Sequence, residues 1–468
     1  MASSRDGIYE PGVVDPGFPV SNPTASFWQS DPHPLANHQS VWPSDPVDAV
    51  VIGAGITGVN IARNLLLKRP DYKVVLIEAR SLCSGATGRN GGHIKTIAYA
   101  NWEHFKKTYG VDEAKRLTEF EHSHLPAMSQ VAKENGIDCD LVMKEGIDGS
   151  YDTATWEQSL AGLEDMRKHL PHLAAQYKVH TDKDYLHNVL KLSKRCIGAI
   201  SVPGSTIWPY KFVTGLVSPL VLKGSLKLQT NTVVRNVEDA DGNELAVAHT
   251  DRGVIRAKHI VHATNAWIGH LIHELRPFVS PVRGNVVHFT PTKPPGTPCQ
   301  ESSAFGFDSG YSYWLRYGKK DYDYLAQREG GDMVIGRANV GRRATSDDSE
   351  TDLIPNAHLR GLANEVSLSP SPLASNSIDK AWSGILAFTE DGAPFIGRVP
   401  TSGHAHQWVC GGYHGYGMTK AFRAAEMVAL LILGEKVLDE YPRSMYVTEE
   451  RLRSLARNSL YVDARNKL

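Results

Sequence analysis

The hydrophobic residues of the 468-residue chain first fall into a regular pattern at Val47. From there the run VDAVVIGAG predicts a buried strand that ends in a glycine turn, and apolar residues at Ile61, Leu65 and Leu66 then share one face of a helix. The run KVVLIEA, residues 73–79, predicts a second buried strand. Strand, turn, helix and strand within about thirty residues form a βαβ unit, whose two strands lie parallel in one sheet.

The middle of the chain alternates between helical and strand patterns. Charged helical patterns extend from 99 to about 136 and return at 153–170, and a further helix begins near Trp208. The segments LKLQTNTVVRNVED, NELAVAHTD, GVIRA and HIVHATNAW then predict an antiparallel meander inserted between two halves of the first domain. A second strand-rich stretch, from about 283 to 340, contains VRGNVVHFT, YSYWLRYG, DYDYLAQRE and DMVIGRA.

The two ends of the chain differ in their hydrophobic patterns and therefore in the structure that they predict. Residues 1–46 are rich in Pro, Ser, Asn and Asp, which predicts an irregular arm that docks in part through its tryptophans. The C-terminal part returns to buried strands in WSGILAFT, APFIGRV and QWVCGG, followed by a glycine-rich turn and a helix over 418–433. We find no internal repeat, and we expect two lobes because the chain is too long for one simple core.

Composition narrows the possible partners and the location. The chain carries 50 basic and 51 acidic residues without a basic cluster, which argues against nucleic acid as a partner. Its five cysteines lack C-x-x-C spacing, as expected of reduced thiols in a cell. The N-terminus does not read as a signal peptide, and the apolar runs fall short of the roughly 20 residues of a membrane span. We therefore expect a cytoplasmic chain with no membrane partner; the tail Asn466-Lys467-Leu468, one position from S-K-L, leaves a peroxisomal location open.

The first glycine motif is Gly53-Ala54-Gly55-Ile56-Thr57-Gly58, which lies between the predicted strand and helix. In this context G-x-G-x-x-G permits a tight turn, close approach of a pyrophosphate and packing of helix on strand. Glu78 lies at the end of the second strand, twenty residues after Gly58, where a carboxylate accepts hydrogen bonds from ribose and disfavours NADP. A plain turn with an unrelated surface Glu is the alternative. The motif does not separate FAD from NAD.

Two further glycine clusters favour FAD. SGATGRNGGH, residues 84–93, follows the second strand, and GGYHGYG, residues 411–417, precedes the last long helix. FAD is long and buried, so its pyrophosphate, ribityl chain and ring need close backbone contact at several points. A helix N-terminus near the pyrimidine edge of the flavin would stabilise the negative charge that reduction creates there.

Several motifs together carry a family resemblance. VVIGAGITG, LIEA, SGATGRNGG, HATNAW, TEDGAPFIG and GGYHGYGMT resemble the D-amino-acid-oxidase superfamily of FAD-dependent oxidoreductases, in particular the γ-glutamylputrescine oxidase branch and its fungal members, over 47–434. The resemblance implies an α/β fold: a Rossmann-type FAD-binding domain with a discontinuous second α+β substrate domain on a mostly antiparallel sheet. The expected boundaries are 1–46 for the arm, 47–98, 205–275 and 380–468 for the FAD-binding domain, and 99–204 and 276–379 for the substrate domain.

The resemblance also implies the residues around FAD. Backbone and side chains of all three clusters are expected to contact the cofactor, although Arg89 has the alternative of a surface salt bridge. The expected cofactor-binding residues are Gly53, Ala54, Gly55, Ile56, Thr57, Gly58, Glu78, Ala79, Arg80, Ser84, Gly85, Ala86, Thr87, Arg89, Asn90, Gly91, Gly92, Val234, Thr264, Asn265, Gly415, Gly417, Met418 and Thr419. Attachment is expected to be non-covalent, because Gly384 stands where sarcosine-oxidase-like relatives have the attaching cysteine.

In this superfamily a C–H bond next to an amine nitrogen gives a hydride to flavin N5, and the resulting imine hydrolyses. We expect an amine or amino-acid substrate; a larger amine is favoured because Thr419 replaces a carboxylate-binding lysine of some relatives. The oxygen-activating lysine of some relatives falls at Met333 or Val334 here, so oxygen and another electron acceptor both stay open. We find no H-E-x-x-H spacing and expect no metal.

The predicted catalytic residues are His93, His414 and Tyr416, although either histidine can instead be structural. Further candidates for substrate contact are Lys95, Tyr311, Tyr313, Trp314 and Arg316, with core packing as the alternative for the aromatic residues. Arg283 is expected to form a structural ion pair, with binding of a substrate carboxylate as the alternative.

Three other functions compete with amine oxidation. They are an NAD-dependent dehydrogenase or flavin monooxygenase, a FAD-dependent enzyme that oxidises a secondary metabolite without oxygen as acceptor, and a catalytically silent flavoprotein. The sequence does not predict the oligomeric state.

Overall fold

The computed structural model describes residues 14–240, 242, 244–290, 310–318, 321–337, 344–366 and 377–458. Cys299 and the C-terminal Asn466-Lys467-Leu468 lie outside these residues. The described strands form two sheets. In chain order they are β1 (Val47–Ile52), β2 (Val74–Ile77), β3 (His93–Ile94), β4 (Val142–Ser150), β5 (Lys178–His180), β6 (Gly198–Thr206), β7 (Leu226–Gln229), β8 (Val234–Glu238), β9 (Ala246–Thr250), β10 (Gly253–His262), β11 (Val279–Thr290), β12 (Tyr311–Gly318), β13 (Asp321–Gln327), β14 (Met333–Arg337), β15 (Ser377–Thr389), β16 (Phe395–Arg398) and β17 (Gln407–Gly411).

The described helices pack around these sheets. They are α1 (Ile56–Lys68), α2 (Ala98–Tyr109), α3 (Val111–His122), α4 (His124–Glu134), α5 (Thr153–His169), α6 (Pro171–Ala174), α7 (Pro209–Leu222), α8 (Ile268–Leu271), α9 (Leu353–Val366), α10 (Ala421–Ile432) and α11 (Glu449–Asn458). Among them, none combines the length and the apolar character that a membrane crossing requires.

The first sheet has the strand order β16-β17-β10-β1-β2-β7, and its central pairs are parallel. β2 is buried at every position, as strands of a parallel sheet covered on both faces are. Helix α1 contacts both α7 and α10, and the amide nitrogen of Asn60 on α1 donates to the carbonyl of Phe422 on α10 at 2.7 Å. This sheet places the carboxyl ends of β1, β2 and β10 side by side.

The second sheet has the order β15-β11-β14-β13-β12-β4-β6-β3 and is antiparallel except for the pair β4–β12. The α/β class and the mostly antiparallel second sheet that the sequence predicts are therefore confirmed. β3, the end of β6 and most of β15 pair within this second sheet, whereas the expected boundaries assign 93–94, 205–206 and 380–389 to the first domain. The hydrophobic pattern of these strands does not reveal their hydrogen-bond partners.

The predicted meander also differs in part from the structure. GVIRA and HIVH form one continuous strand, β10, whose second half pairs in parallel with β1. β7 is likewise a parallel strand, paired with β2, so only β8, β9 and the first half of β10 form an antiparallel insertion. Period-2 alternation does not distinguish the two cases because both faces of β7 and the end of β10 are mostly buried.

The described part of the N-terminal arm lies on the body of the protein. It contains one short 3-10 helix, Phe27–Gln29, and the Trp28 side chain is 1% exposed. The indole nitrogen of Trp28 donates to the carbonyl of Asn90 at 2.7 Å, and Phe27 stacks on His288 with 3.6 Å between ring centres. The arm therefore packs against the SGATGRNGGH segment.

Candidate active site

One large cavity is lined by residues of both sheets. Its volume is about 1910 Å³, including the part open to solvent. It begins at the carboxyl ends of β1, β2 and β10, where Gly53, Glu78 and Ala263 line it, and it extends to Trp314 on β12. Ligands of open α/β sheets bind at such carboxyl ends.

The turn after β1 requires glycine. Gly53 has φ +103°, and a Cβ there would lie 2.7 Å from the carbonyl oxygen of Ala263. A Cβ on Gly58 would overlap the carbonyl of Gly53, so the start of α1 lies directly against β1. A Cβ on Gly55 would be 3.0 Å from Thr87 Oγ1, which also accepts a 3.1 Å hydrogen bond from the Ile56 N–H. The second glycine cluster therefore packs directly against the first, through Thr87.

Glu78 is held at the end of β2 by backbone donors. Its Oε2 accepts from the Ala54 N–H at 2.9 Å, and its Oε1 accepts from the Arg80 N–H at 3.1 Å. Its carbonyl accepts from the Thr232 N–H at 2.9 Å, and Thr232 and Val234 line the same part of the cavity. This end of the cavity is therefore lined by the fixed carboxylate of Glu78 and by the chain that follows β7.

Arg80 and Arg89 converge on one buried carboxylate. Arg80 Nη1 lies 2.8 Å from Asp348 Oδ1, and Arg89 Nε lies 3.4 Å from Asp348 Oδ2. Arg89 also donates to the carbonyls of Ser84, Thr24 and Ser383. Burial lowers the pKa of Arg89 to about 10. Arg89 thus forms a buried ion pair and ties its loop to the arm and to β15.

The far end of the cavity has aromatic walls. His93 lies edge-on to Tyr324 and Trp314, with ring centres 5.2 Å and 6.2 Å apart. Lys95 Nζ is 4.2 Å from the centre of the Trp314 ring and donates to Ser312 Oγ at 3.0 Å. A Cβ on Gly91 would overlap the Tyr324 ring, so the glycine lets that tyrosine reach the cavity.

Burial at this end of the cavity favours the uncharged forms of the Lys95 and His93 side chains. Burial lowers the pKa of Lys95 well below its ordinary value; Asp148 opposes this shift and Arg316 adds to it. Burial also lowers the pKa of His93, and His93 forms no side-chain hydrogen bond within the described part of the chain. Burial alone would lower the pKa of Arg316, but Asp148, which accepts from Arg316 Nε at 2.7 Å, raises it. Asp148 is therefore already paired.

The third glycine cluster contributes backbone and two tyrosines, Tyr413 and Tyr416, to the cavity. Gly415 has φ +80°, and Gly417–Thr419 form a 3-10 turn before α10. Tyr416 lines the cavity, and burial raises its pKa. His414 has φ +52°, and its Nδ1 accepts from the Thr389 N–H at 3.2 Å. That conformation turns the His414 side chain towards β15, and His414 does not line the cavity.

The cavity gathers most of the residues singled out from the sequence. Those that line it are Gly53, Gly55, Ile56, Thr57, Glu78, Ala79, Arg80, Gly85, Ala86, Thr87, Arg89, Asn90, Gly91, His93, Lys95, Val234, Thr264, Asn265, Trp314, Gly384, Gly415, Tyr416, Gly417, Met418 and Thr419. Those that are not among its lining residues are Ala54, Gly58, Ser84, Gly92, His414 and Arg316.

Other candidates lie elsewhere. Tyr313 is buried in the hydrophobic cluster on the opposite face of β12, with Tyr311 packed against it, because alternate residues of a strand face opposite sides. Arg283 is 1% exposed and pairs with Asp352 at 2.8 Å, which is the structural role expected for it. Met333 and Val334 are buried among apolar residues.

Sequence reasoning missed several lining residues. Tyr322 and Tyr324 were part of a predicted strand, and their spacing in DYDYL places both on one face. Nothing in the local pattern marks the rest, which reach the cavity through contacts distant in sequence. They include Gly17, Phe18, Pro19, His270 and Leu271, whereas Trp267, which also lines the cavity, ends the motif HATNAW.

A second cavity, of about 1090 Å³ including solvent, adjoins the far end of the first. Lys95 and Thr419 line both cavities. Glu119 and Glu121 of α3 also line the second one, and Glu121 Oε1 lies 3.4 Å from Lys420 Nζ. Within the described residues, no group of three His, Cys, Asp or Glu side chains is arranged to hold a metal ion.

Comparisons with known proteins identify the family. The family described as "DAO: FAD dependent oxidoreductase" matches residues 48–431. The chain is 27% identical over 429 residues to a probable oxidoreductase OrdL of Rhizobium meliloti (strain 1021), covering 87% of this chain and 90% of that protein. It is 24% identical over 421 residues to the gamma-glutamylputrescine oxidoreductase of Escherichia coli (strain K12), covering 88% of this chain and 89% of that protein.

Solved structures agree on the fold. Glycine oxidase from Geobacillus kaustophilus aligns with a TM-score of 0.68 at 19% identity, covering 87% of this chain and 99% of that chain. L-proline dehydrogenase from P. horikoshii aligns with a TM-score of 0.67 at 21% identity, covering 86% and 97%. The predicted resemblance and the FAD-binding fold class are confirmed. Because the family match extends across both sheets and all three glycine clusters, the chain belongs to the DAO family of FAD-dependent oxidoreductases.

Proposed function

We propose that this chain binds FAD non-covalently in the large cavity and oxidises a C–N bond of an amine or amino acid to an imine, which water hydrolyses. When bound, FAD supplies the acceptor for a hydride from the carbon next to the substrate nitrogen. The names of the relatives support this class of substrate, since they refer to glycine and to gamma-glutamylputrescine.

The residues of the cavity suit the parts of FAD. Glu78 would accept from the ribose hydroxyls, and the tight turn at Gly53 would admit the pyrophosphate to the start of α1. Gly415, Gly417 and Thr419 would face the pyrimidine edge of the flavin. Gly384 lines the cavity and has no side chain that could bond to the flavin. The absence of a side chain at this position supports non-covalent binding.

The single observation that carries the proposal is the environment of Lys95. Lys95 is buried and forms no ion pair with a described carboxylate; burial lowers its pKa, Asp148 opposes that shift and Arg316 adds to it. The same desolvation acts on a substrate nitrogen placed beside Trp314, where the positive charge of Arg316 is offset by its ion pair with Asp148. An amine would therefore be held neutral there, with the nitrogen lone pair available to assist departure of the hydride.

Other residues at this end would orient the substrate. Neutral His93 offers an acceptor nitrogen to an amine N–H, because its ring has no side-chain hydrogen bond within the described residues. The faces of Trp314, Tyr322 and Tyr324 would hold the carbon skeleton and exclude water. Tyr416, neutral through the raised pKa, can donate from its hydroxyl. Orientation of the C–H bond towards the flavin is the main catalytic requirement.

The test is an anaerobic screen of purified protein loaded with FAD against amino acids, secondary amines and N-acylated diamines. Loss of the oxidised flavin absorption with one class, together with release of the carbonyl product, supports the proposal. Admission of air then separates an oxidase, whose flavin colour returns, from a dehydrogenase. Protein that binds FAD but is not reduced by any member of the panel contradicts amine oxidation.

A further inference from the structure

Part of the N-terminal arm reaches the cofactor cavity. Gly17, Phe18 and Pro19 line the cavity, although they precede β1 by about thirty residues of irregular chain. We call residues 15–20 the strap. In the described structure it lies at the end of the cavity that contains Glu78 and Val234, away from Lys95.

The strap is fixed at both of its ends. Asp15 accepts from His270 Nδ1 at 2.8 Å and pairs with Arg276 Nη2 at 3.0 Å. The carbonyl of Pro16 accepts from Ser346 Oγ at 2.6 Å. At the other end the carbonyl of Val20 accepts from Arg80 Nη1 at 3.3 Å. These contacts join the strap to α8, to the chain before α9 and to the loop after β2.

The Phe18 ring is enclosed by flat side chains. The Phe18 ring meets the His270 ring edge-on, with 4.2 Å between the ring centres. The guanidinium of Arg235 lies 4.8 Å from the centre of the Phe18 ring. His270 lines the cavity with Phe18, and Arg235 directly follows Val234, another lining residue. The backbone of Glu78 is hydrogen-bonded to Thr232 beside them. Phe18 therefore lies at the end where a dinucleotide would place its adenosine.

We infer that the strap forms the outer wall of the adenosine part of the cofactor site, with Phe18 in contact with the adenine ring. A ring of this kind stabilises a nucleobase by stacking or edge contact, which does not require base-specific hydrogen bonds. The ion pair of Asp15 with Arg276 and its hydrogen bond with His270 hold the ring in place before FAD binds. This inference rests on the FAD binding proposed above and is independent of amine oxidation.

The experiment compares FAD with FMN, which has the flavin and one phosphate but no adenosine. Holoprotein is incubated with mixtures of the two flavins until exchange is complete, and the protein-bound flavins are separated and quantified. Phe18→Ala is expected to lower the preference for FAD over FMN by roughly 5- to 150-fold, the range measured for removal of an aromatic ring from a base. Asp15→Asn, which keeps an acceptor for the Gly17 N–H, is expected to lower it by a smaller factor.

A matched control comes from the same arm. Phe27→Ala removes an aromatic ring that stacks on His288 outside the cavity, so the preference should equal that of the unaltered protein. General loosening of the fold would weaken both flavins alike and leave the preference unchanged. An unchanged preference for FAD over FMN in Phe18→Ala would overturn the inferred contact between the strap and the adenosine. If Phe18→Ala does not fold, an unchanged preference in Asp15→Asn would overturn it. Protein that binds neither flavin contradicts the proposed function as well, whereas normal FAD preference without substrate oxidation contradicts the proposed function alone.

Discussion

Lys95 Nζ lies 4.2 Å from the centre of the Trp314 ring, in a cavity wall where no described carboxylate forms an ion pair with it. The lysine is thus held by a ring face and by one hydroxyl, that of Ser312. This pair of residues defines the environment in which the substrate nitrogen is proposed to lie, and its buried, apolar character, which disfavours a charged nitrogen, is the physical basis of the proposed chemistry.

Replacement of Lys95 by Met should shift the pH dependence of flavin reduction. Below its lowered pKa Lys95 is charged, and that charge lowers the pKa of an adjacent substrate amine, so removal of the lysine raises the pKa of the amine. The midpoint of the reduction rate is then expected to rise by about one pH unit, the order of a screened charge a few ångströms away. Stopped-flow reduction without oxygen measures it. Lys436→Met, at a side chain 83% exposed, is the control, and an equal midpoint in Lys95→Met would refute the assignment.

Gly91→Ala should damage the substrate end without unfolding the protein. The added methyl group would overlap the Tyr324 ring, which also lies directly over Gly336 and has no room to retreat. We expect the rate constant of flavin reduction divided by the dissociation constant of the substrate to fall at least tenfold, because misplacement of one wall misaligns the C–H bond. The double variant Gly91→Ala with Tyr324→Leu should recover part of the loss. Gly361→Ala on α9, with nothing within 4 Å of the new Cβ, is the control.

Asp348→Asn should destabilise the fold strongly. Asp348 is fully buried between Arg80 and Arg89, and the substitution leaves two buried guanidinium groups without their carboxylate. Loss of one partner of such a buried network costs about 3–5 kcal/mol in free energy of unfolding. Equilibrium unfolding in urea measures this loss. Glu435→Gln, which breaks the exposed pair with Lys68, should cost at most about 1 kcal/mol, and similar effects of the two substitutions would contradict the structural role of Asp348.

Acid should destabilise the protein through buried histidines. Burial lowers the pKa of His124 to about 4, and its two nitrogens bond the carbonyl of Phe120 and the N–H of Arg423 as a neutral ring. Between pH 6.5 and 4 the unfolded chain binds a proton that the folded chain does not, so stability falls as the pH falls. The contribution of one such group is at most about 3 kcal/mol.

The check is the free energy of unfolding of the unaltered protein and of His124→Gln at several pH values. The variant should lose less stability between pH 6.5 and 4, because it lacks the titrating ring. His122, His259 and His262 have pKa values lowered to about 4 as well, so both proteins should still weaken in acid. Parallel curves for the two proteins would show that His124 does not titrate in this way.

Local motifs predicted the parts of the fold and site that local sequence determines. The G-x-G-x-x-G turn works through steric contacts within a few residues, such as Gly58 against Gly53, and the pattern of α1 and β2 reflects burial along the chain. The second and third glycine clusters were also identified from the residues, the family resemblance added their individual contacts with FAD, and most of their residues line the same cavity.

Pairings between distant segments could not be predicted in this way. Asp348 lies 268 residues from the Arg80 that it pairs with, and β15 joins the second sheet through β11. The His414 ring accepts from the Thr389 N–H at the end of β15 and does not line the cavity, and no residue pattern displays that contact. Phe18 lies in an irregular arm whose composition indicates only a lack of regular structure. Each of these features depends on tertiary packing.

The most direct test of the account is anaerobic reduction of the FAD-loaded protein by an amine or amino acid identified in the screen, compared with the same substrate deuterated at the carbon next to nitrogen. The account predicts complete loss of the oxidised flavin absorption, a slower rate with deuterium, and one equivalent of carbonyl product for each flavin. FAD-loaded protein that no amine or amino acid reduces, or reduction with no carbonyl product from the substrate, would contradict it.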